Sequence, residues 1–441
     1  MRSRSAALWL FDKECRELAA SRAWWVLLLA MGPLVGSSFI SAMRTYAEVS
    51  GLGGTSAGVG EALSPLIGVW APTFSAGELA AVFLFPFVVI HLVAGDKQSG
   101  ALKLESQHRM TAFARVSMKA IVLALAWLIA SAAPLVAIGL WKVYGGTVYV
   151  PELLTVAGGH VLNAGLTIAL AAAMATIAEH PSTAAIMTLG VTVGTWLVNF
   201  FAAVQGGIWE RVAAYTPTAM VAEFQHGLIR LTVVLIAAAL IVGGLTLSAI
   251  WMRLGVPVRR RVLESAALCA AISIAIVMCL FARPTWDASE GRTNSFSEAD
   301  ESALKQIHQP LHIRAYLAPE DPRRVDLERQ ALSKLRRVMP DVQIDYVSGT
   351  SIGLFEQTSE RYGEVWYKLG GRREMSRVVT AEGVLETIYS VARLTPPTED
   401  EAEVFRGHPL AVSPRGANLV FYGLWPAAVV GFALITRRRR T

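Results

Sequence analysis

The sequence predicts a polytopic α-helical membrane protein of about eight transmembrane helices, with both termini cytoplasmic and a small extracytoplasmic α/β domain inserted between the seventh and eighth spans. Three observations predict it. Of the 441 residues 54% are hydrophobic and only 17% charged, and the mean hydropathy is +0.45. Several apolar runs come near the ~20 residues that cross a bilayer as a helix. One long stretch, 283–416, departs from that composition and is acidic on balance within a chain of net charge +6.

Taken in order, the expected spans are roughly 23–43, 77–95, 118–140, 157–178, 182–203, 230–252, 263–282 and 418–436. The first is not a cleavable signal, because a charged amphipathic stretch precedes it and no small-residue cleavage site follows closely. Orientation follows from the cations. Arg2, Arg4, Lys13, Arg16 and Arg22, then Lys97, Lys103, Arg109, Arg115 and Lys119, then Arg253 and Arg259 to Arg261, then Arg437 to Arg440 all fall on one side of such a topology. The short loops of the other side hold only Arg44, Lys142, Arg211 and Arg230. Loops rich in Lys and Arg stay in the cytoplasm, so both termini are expected inside. The pI near 9.3 is thus a topology signal, and nucleic acid is not expected as a partner.

The lead segment 1–22 reads as an amphipathic interface helix, with Leu8, Phe11, Cys15, Leu18 and Arg22 on one stripe and Lys13, Glu14, Arg16 and Glu17 away from it. A six-span core follows over 23–255, then a linker with the seventh span over 256–282, the outer domain over 283–416, and the eighth span with a basic tail over 417–441. Between spans two and three, "GDKQSGALKLESQHRMTAFARVSMK" (95–119) forms a charged elbow. Asp96 is expected to cap it after Gly95, and Leu102, Glu105, Arg109, Ala112 and Val116 fall on one line of a helix over 100–119. A solvated loop helix remains the other reading of that stretch.

In the outer domain, Ser297 ahead of Glu298, Asp300 and Glu301 marks a helix start. Strands are expected over 311–318 and 342–347, a helix between them over 323–338, a hairpin turning at Gly370 and Gly371, and a closing helix over 381–394. Cys15, Cys269 and Cys279 all lie outside this domain, so no disulfide is expected in it.

Catalytic signatures are absent from the chain. Without a Gly-x-x-x-x-Gly-Lys-Ser/Thr loop it cannot cradle a nucleotide phosphate in the usual way, and it lacks His-Glu-x-x-His, Cys-x-x-Cys and Gly-x-Ser-x-Gly. No enzyme activity, cofactor or metal site is therefore expected; His308, His312 and His408 are scattered and read as surface or satisfied histidines. Within the spans the conspicuous polar residues are His91, His160 and Asn163, the last two on one helical face, with no carboxylate expected at mid-depth. These three mark a candidate translocation path, and they equally fit interhelical hydrogen bonding.

Two resemblances add to this reading. The lead "LWLFDKECRELAASRAWW", the elbow following "FPFVVIHLVAG", and "AAYTPTAMVAEFQHGLIRL" with Thr216 and Pro217 before Phe224 to Ile229 resemble, in this order around six spans, the permease of type-2 ABC exporters. At the elbow that family carries an Arg-Glu pair where this chain has Asp96, Lys97 and Gln98. Segments 294–322 and 362–394 resemble the auxiliary periplasmic domain of gliding-motility-type ABC systems, over about a quarter of the chain. There a larger periplasmic domain usually follows, whereas here "TEDEAEVF" leads on toward the last span.

The resemblance implies an ABC ATPase subunit as partner, with hydrolysis on that separate subunit, and a homodimer or a heterodimer with another permease in the plasma (inner) membrane. It implies coupling contacts at Asp96, Lys97, Gly100, Leu102, Glu105, His108, Arg109 and Phe113, and a second contact through the interface helix at Trp9, Phe11, Lys13, Glu14 and Glu17. Two functions of different class remain: export of an amphipathic or lipid-linked substrate, or transmission of ATP-driven motion through 283–416 to an envelope or motility partner with nothing crossing. Membrane lipids, and a periplasmic protein bound by the outer domain, complete the expected partners.

Overall fold

The computed structural model describes residues 6–51, 63–105, 110–205, 208–282, 284–318, 321–339, 341–347, 361–397 and 407–438. Eight of its helices are long and apolar enough to cross a membrane. After the lead helix α1 (Ala6–Ala20), these are α2 (Arg22–Gly51), α3 (Leu66–Ser99), α5 (Ala112–Val143), α6 (Val150–Ile177), α7 (Pro181–Ala202), α10 (Leu231–Trp251), α11 (Val258–Cys279) and α15 (Leu419–Arg438). A one-turn helix α4 (Ala101–Glu105) lies between α3 and α5, and two short helices, α8 (Ile208–Ala213) and α9 (Pro217–Gln225), precede α10.

The number of spans agrees with the apolar runs, and the largest difference is at α3, which starts at Leu66 and not near 77. Pro72 lies in the first turn of its regular helix, where a missing N–H costs nothing. A bend at Leu84, two residues before Pro86, marks the bond that Pro86 cannot donate. The early start carries Glu78 into the interior of a span, where the sequence reading expected no carboxylate.

The chain divides into two compact units. In the first, the core runs along α2, whose Met31, Val35, Phe39 and Met43 are at most 1% exposed, and continues through Val88 and Val89 of α3, Leu123 and Ala126 of α5, and Ala171 of α6. By contrast α11 has no buried residue, and α7 and α15 present mostly exposed apolar side chains. Exposed apolar stretches of this kind suit hydrocarbon, where every backbone polar group is satisfied within the helix.

Trp141 makes edge contacts with Tyr46 at 5.4 Å and Trp70 at 5.6 Å, and these three rings fasten α5, α2 and the start of α3. The Tyr46 hydroxyl shares its one proton between the carbonyls of Leu63 and His408, which ties the segment leading into α15 to α2. A short two-stranded antiparallel ribbon, β1 (Leu228–Arg230) with β2 (Thr285–Asp287), also belongs to this unit. The second unit is therefore narrower than 283–416: it comprises chiefly Ser289–Phe405.

That unit is an α/β layer pair. A four-stranded mixed sheet has the order β4 (Val342–Tyr346), β3 (Leu311–Ala315), β5 (Val365–Leu369), β6 (Arg372–Ser376), with β3 and β4 parallel and the other pairs antiparallel. Period-two alternation sends Leu311, Ile313, Ala315, Val365 and Tyr367 into the core, against Leu304 of α12 (Glu298–Lys305), Leu327 and Leu335 of the broken helix α13 (Pro322–Leu327 continuing through Ser333–Val338), and Val384 and Ile388 of α14 (Ala381–Ala392). Each expected element of this domain is present. The predicted N-cap is formed as well, since the Ser297 hydroxyl accepts from the Asp300 amide at 3.1 Å.

Candidate functional site

At the elbow the chain does not form one helix over 100–119. Gly100 adopts φ +75°, a left-handed conformation that ends α3, and a new helix starts at Ala112, where the Thr111 hydroxyl accepts from the Ala114 amide. Leu102 and Val116, expected on one stripe, do meet, yet as parts of α4 and α5 packed with Ala249 and Met252 of the α10 end. His108 and Arg109 lie outside the described residues. Asp96 is not a cap: it lies inside the last turns of α3 and is 2% exposed.

What replaces the continuous helix is a buried ionic knot. Lys13 of α1 donates to Asp96 Oδ1 at 2.6 Å and to Glu105 Oε1 at 2.5 Å, and lies 3.3 Å from Glu17 one turn along. Lys119 of α5 donates to Glu14 Oε1 at 2.6 Å, to the Leu92 carbonyl at 3.2 Å, and to the other oxygen of Asp96. Glu14, Asp96, Glu105 and Lys119 are each at most 3% exposed. Two ammonium groups thus bridge three carboxylates drawn from α1, α3, α4 and α5.

Buried charges persist only when paired, and here the pairing is shared in a chain. Burial by itself would lower the Lys13 ammonium, but the hydrogen bonds to Asp96 and Glu105, together with the charge of Glu14, raise it above the ordinary lysine range. Burial pushes the Glu14 carboxyl up, against the pull of Lys119 and Lys13. One oxygen each of Glu14 and Glu105 has no hydrogen-bond partner, nor do Nε and Nη1 of Arg115, which is buried one turn before Lys119. The three carboxylates offer oxygens within 4.8 Å of one another, a spacing a cation could bridge, but the Lys13 and Lys119 ammonium groups already occupy that role.

The lead helix consequently differs from the expected interface helix. Its buried line is Leu10, Glu14 and Leu18, so Lys13 and Glu14 face protein, and Phe11 and Cys15 pack beside the core. Leu8 and Trp9, 59% and 46% exposed, are the apolar residues left outward. Lys97, expected at the coupling surface, donates instead to the carbonyls of Thr176 and Ala178 and caps the end of α6. Phe113, 47% exposed, and Lys103 remain on the outside of the elbow.

A second polar group lies within the spans. His160 and Asn163 do share one face of α6 and are both buried, whereas His91 is exposed on α3 and does not join them. The His160 ring lies 5.3 Å from that of Phe74, and its Nε2 is 3.2 Å from Gln225 Nε2 of α9, which also donates to Ser75 Oγ at 2.8 Å. Asn163 approaches Glu78 at 3.5 Å. Thr216, the expected start of the short outer helix, caps α9 and accepts from the Ala219 amide.

Lys119, Glu78, Ser75 and Gln225 had no role in the sequence reading of these sites. A single carboxylate in the apolar run 66–94 was the available signal for Glu78; for Lys119 a pattern within one helix offered none. No protein-family model, curated protein or solved structure matches the chain.

Proposed function

We propose that this chain is the membrane subunit of an ATP-driven exporter of the ABC type, working as a dimer in the plasma membrane with its hydrolysis on a separate ATPase and its second unit outside. The observation that carries the reading is the ionic knot. A permease driven from a neighbouring subunit needs a water-exposed elbow joined rigidly to more than one span, so that a push on the elbow turns the spans and does not merely bend a loop. Lys13, Asp96, Glu105 and Lys119 supply such a joint: the lead helix, the end of the second span and the start of the third move together or not at all. The contact surface for the ATPase is then the outer side of the elbow, at Lys103 and Phe113, with Leu8 and Trp9 of the lead helix toward lipid.

Exchanging Lys103→Glu and Phe113→Ala together tests this. Detergent stability stays near wild type, while co-purification of the ATPase, or its stimulated hydrolysis, falls severalfold; normal recruitment by the double variant removes the coupling assignment. The compact α/β unit joined to α11 and α15 also supports the reading in which motion passes to an envelope partner. ATP-dependent accumulation of an amphiphile in inverted vesicles separates the two, since the transmitting scaffold moves none.

A further inference from the structure

Between α2, α3, α7 and α9 lies a cavity of about 510 Å³, reaching Ser37, Ser38, Ser75, Glu78, Trp196 and Thr218. Its remaining lining is aliphatic, as a site for an apolar body requires. Two of its serines offer acceptors only. Ser37 donates its only hydroxyl proton to the Leu34 carbonyl and Ser38 to the Pro72 carbonyl, so both offer the cavity lone pairs alone. Thr218 and Ser75 accept from Asn199 at 2.6 Å and from Gln225 at 2.8 Å, and those bonds leave their own hydroxyl protons uncommitted. Glu78 is the one charged group of the lining; among the described residues no Lys or Arg pairs with it, and its contact with Asn163 is at the limit of a hydrogen bond. Trp196, held edge-on by Phe83 at 5.3 Å, adds an aromatic ring to the wall.

A carboxylate, the lone pairs of two serines and an indole in a half-open apolar pocket are the complement of a cation on a hydrophobic body. Glu78 lies twelve residues past Leu66, about 18 Å along the helix at 1.5 Å per residue, within the span and away from its ends. We propose that this cavity binds a lipophilic cation, with Glu78 as counter-ion and Trp196 against its apolar body. As a statement about cargo this rests on the permease reading; as a statement about binding it stands without an ATPase.

The test uses the full chain in phosphatidylcholine nanodiscs, with no ATPase present, and radiolabelled tetraphenylphosphonium as probe. Saturable binding is expected, with competition by unlabelled probe and not by the isosteric anion tetraphenylborate. Glu78→Gln lowers the affinity at least tenfold and Glu78→Asp restores most of it. Ala76→Phe, which fills the cavity and keeps the carboxylate, abolishes binding and decides the matter should Glu78→Gln unfold. Absence of saturable binding, equal competition by the anion, or full affinity in Glu78→Gln or Ala76→Phe overturns the proposal. If binding stands while no ATPase co-purifies with the wild-type chain, the cavity survives and the permease reading fails.

Discussion

Lys13 and Asp96, 83 positions apart in the chain, are joined by a 2.6 Å charge-assisted hydrogen bond, and Lys119 reaches the other oxygen of the same carboxylate. Asp96 is thereby the residue through which the lead helix and the third span are tied to the second. Because the network is nearly dry, its worth lies less in net attraction than in the cost of leaving one member alone.

Lys119→Met, which keeps the length of the side chain, takes the fully buried cation from Glu14 and Asp96 and leaves only Lys13, 3.3 Å and 2.6 Å away, to offset them. The expected loss is about 3–5 kcal/mol, read as a large drop in the thermal unfolding temperature in detergent. Adding Glu14→Gln should recover part of it, because the uncompensated charge falls. A Lys119→Met protein as stable as wild type would show that the knot is solvated and not a joint.

Sidedness is tested by thiol labelling in intact cells, in a background with Cys15, Cys269 and Cys279 replaced by Ser. An impermeant reagent modifies Ser302→Cys of the second unit and spares Ser99→Cys of the elbow. The opposite pattern inverts the topology.

Much of the architecture is legible in the sequence because it rests on local quantities. The length of an apolar run needs no knowledge of partners, which is why the structure has as many candidate spans as the hydropathy predicts, in the same order, although α3 starts at Leu66 and not near 77. The α/β unit was similarly readable: Ser297 caps α12, and alternation over 311–315 and 365–369 places the sheet core. The elbow was misread as continuous since the i, i+4 line from Leu102 to Val116 outweighed Gly100 and Thr111, two ordinary stop and start signals. The knot could not be read at all, for Glu14 and Lys119 are 105 residues apart and nothing local marks a pair. Glu78 stands at the very start of the span expected over 77–95, and only the earlier start at Leu66 carries it into the interior.

In the second unit, Asp321 caps α13 by accepting from the Arg323 amide at 2.9 Å and takes a further bond from the Tyr362 hydroxyl at 2.7 Å. The Arg323 guanidinium, then the Tyr362 hydroxyl, hold its carboxyl well below the ordinary 3.8. A lowered carboxyl contributes stability above its unfolded value and loses it as pH falls through the folded one. Replacement by Ala therefore costs about 1–2 kcal/mol at neutral pH, in the range of a lost N-cap. Unfolding measured against pH should show that difference shrinking below pH ~4. A constant gap down to the most acid point would assign the loss to packing.

Gly32 and Gly36 of α2 receive α15 directly: a Cβ at Gly32 would lie 2.2 Å from the Trp425 ring, and one at Gly36 would lie 2.4 Å from Phe421. The Trp425 indole also donates to the Leu28 carbonyl at 2.7 Å. Gly36→Leu should release α15 while leaving the other spans packed. A disulfide between Cys introduced at Leu29 and Val429, formed in the wild-type background, should then be lost; its retention would show the helices can repack around the larger side chain.

That docking has a consequence for how the protein is made. α2 and its partner α15 are some 390 residues apart in the chain, so α2 enters the bilayer with its glycine face open and waits there through the synthesis of the spans between them. During that interval the exposed groove is available to any small-faced helix nearby, including the same groove of a second nascent chain. Docking of α15 is in this sense a closing stitch: a chain broken off between α11 and α15 leaves the seam open, with Gly32 and Gly36 bare and the Tyr46 hydroxyl deprived of the His408 carbonyl.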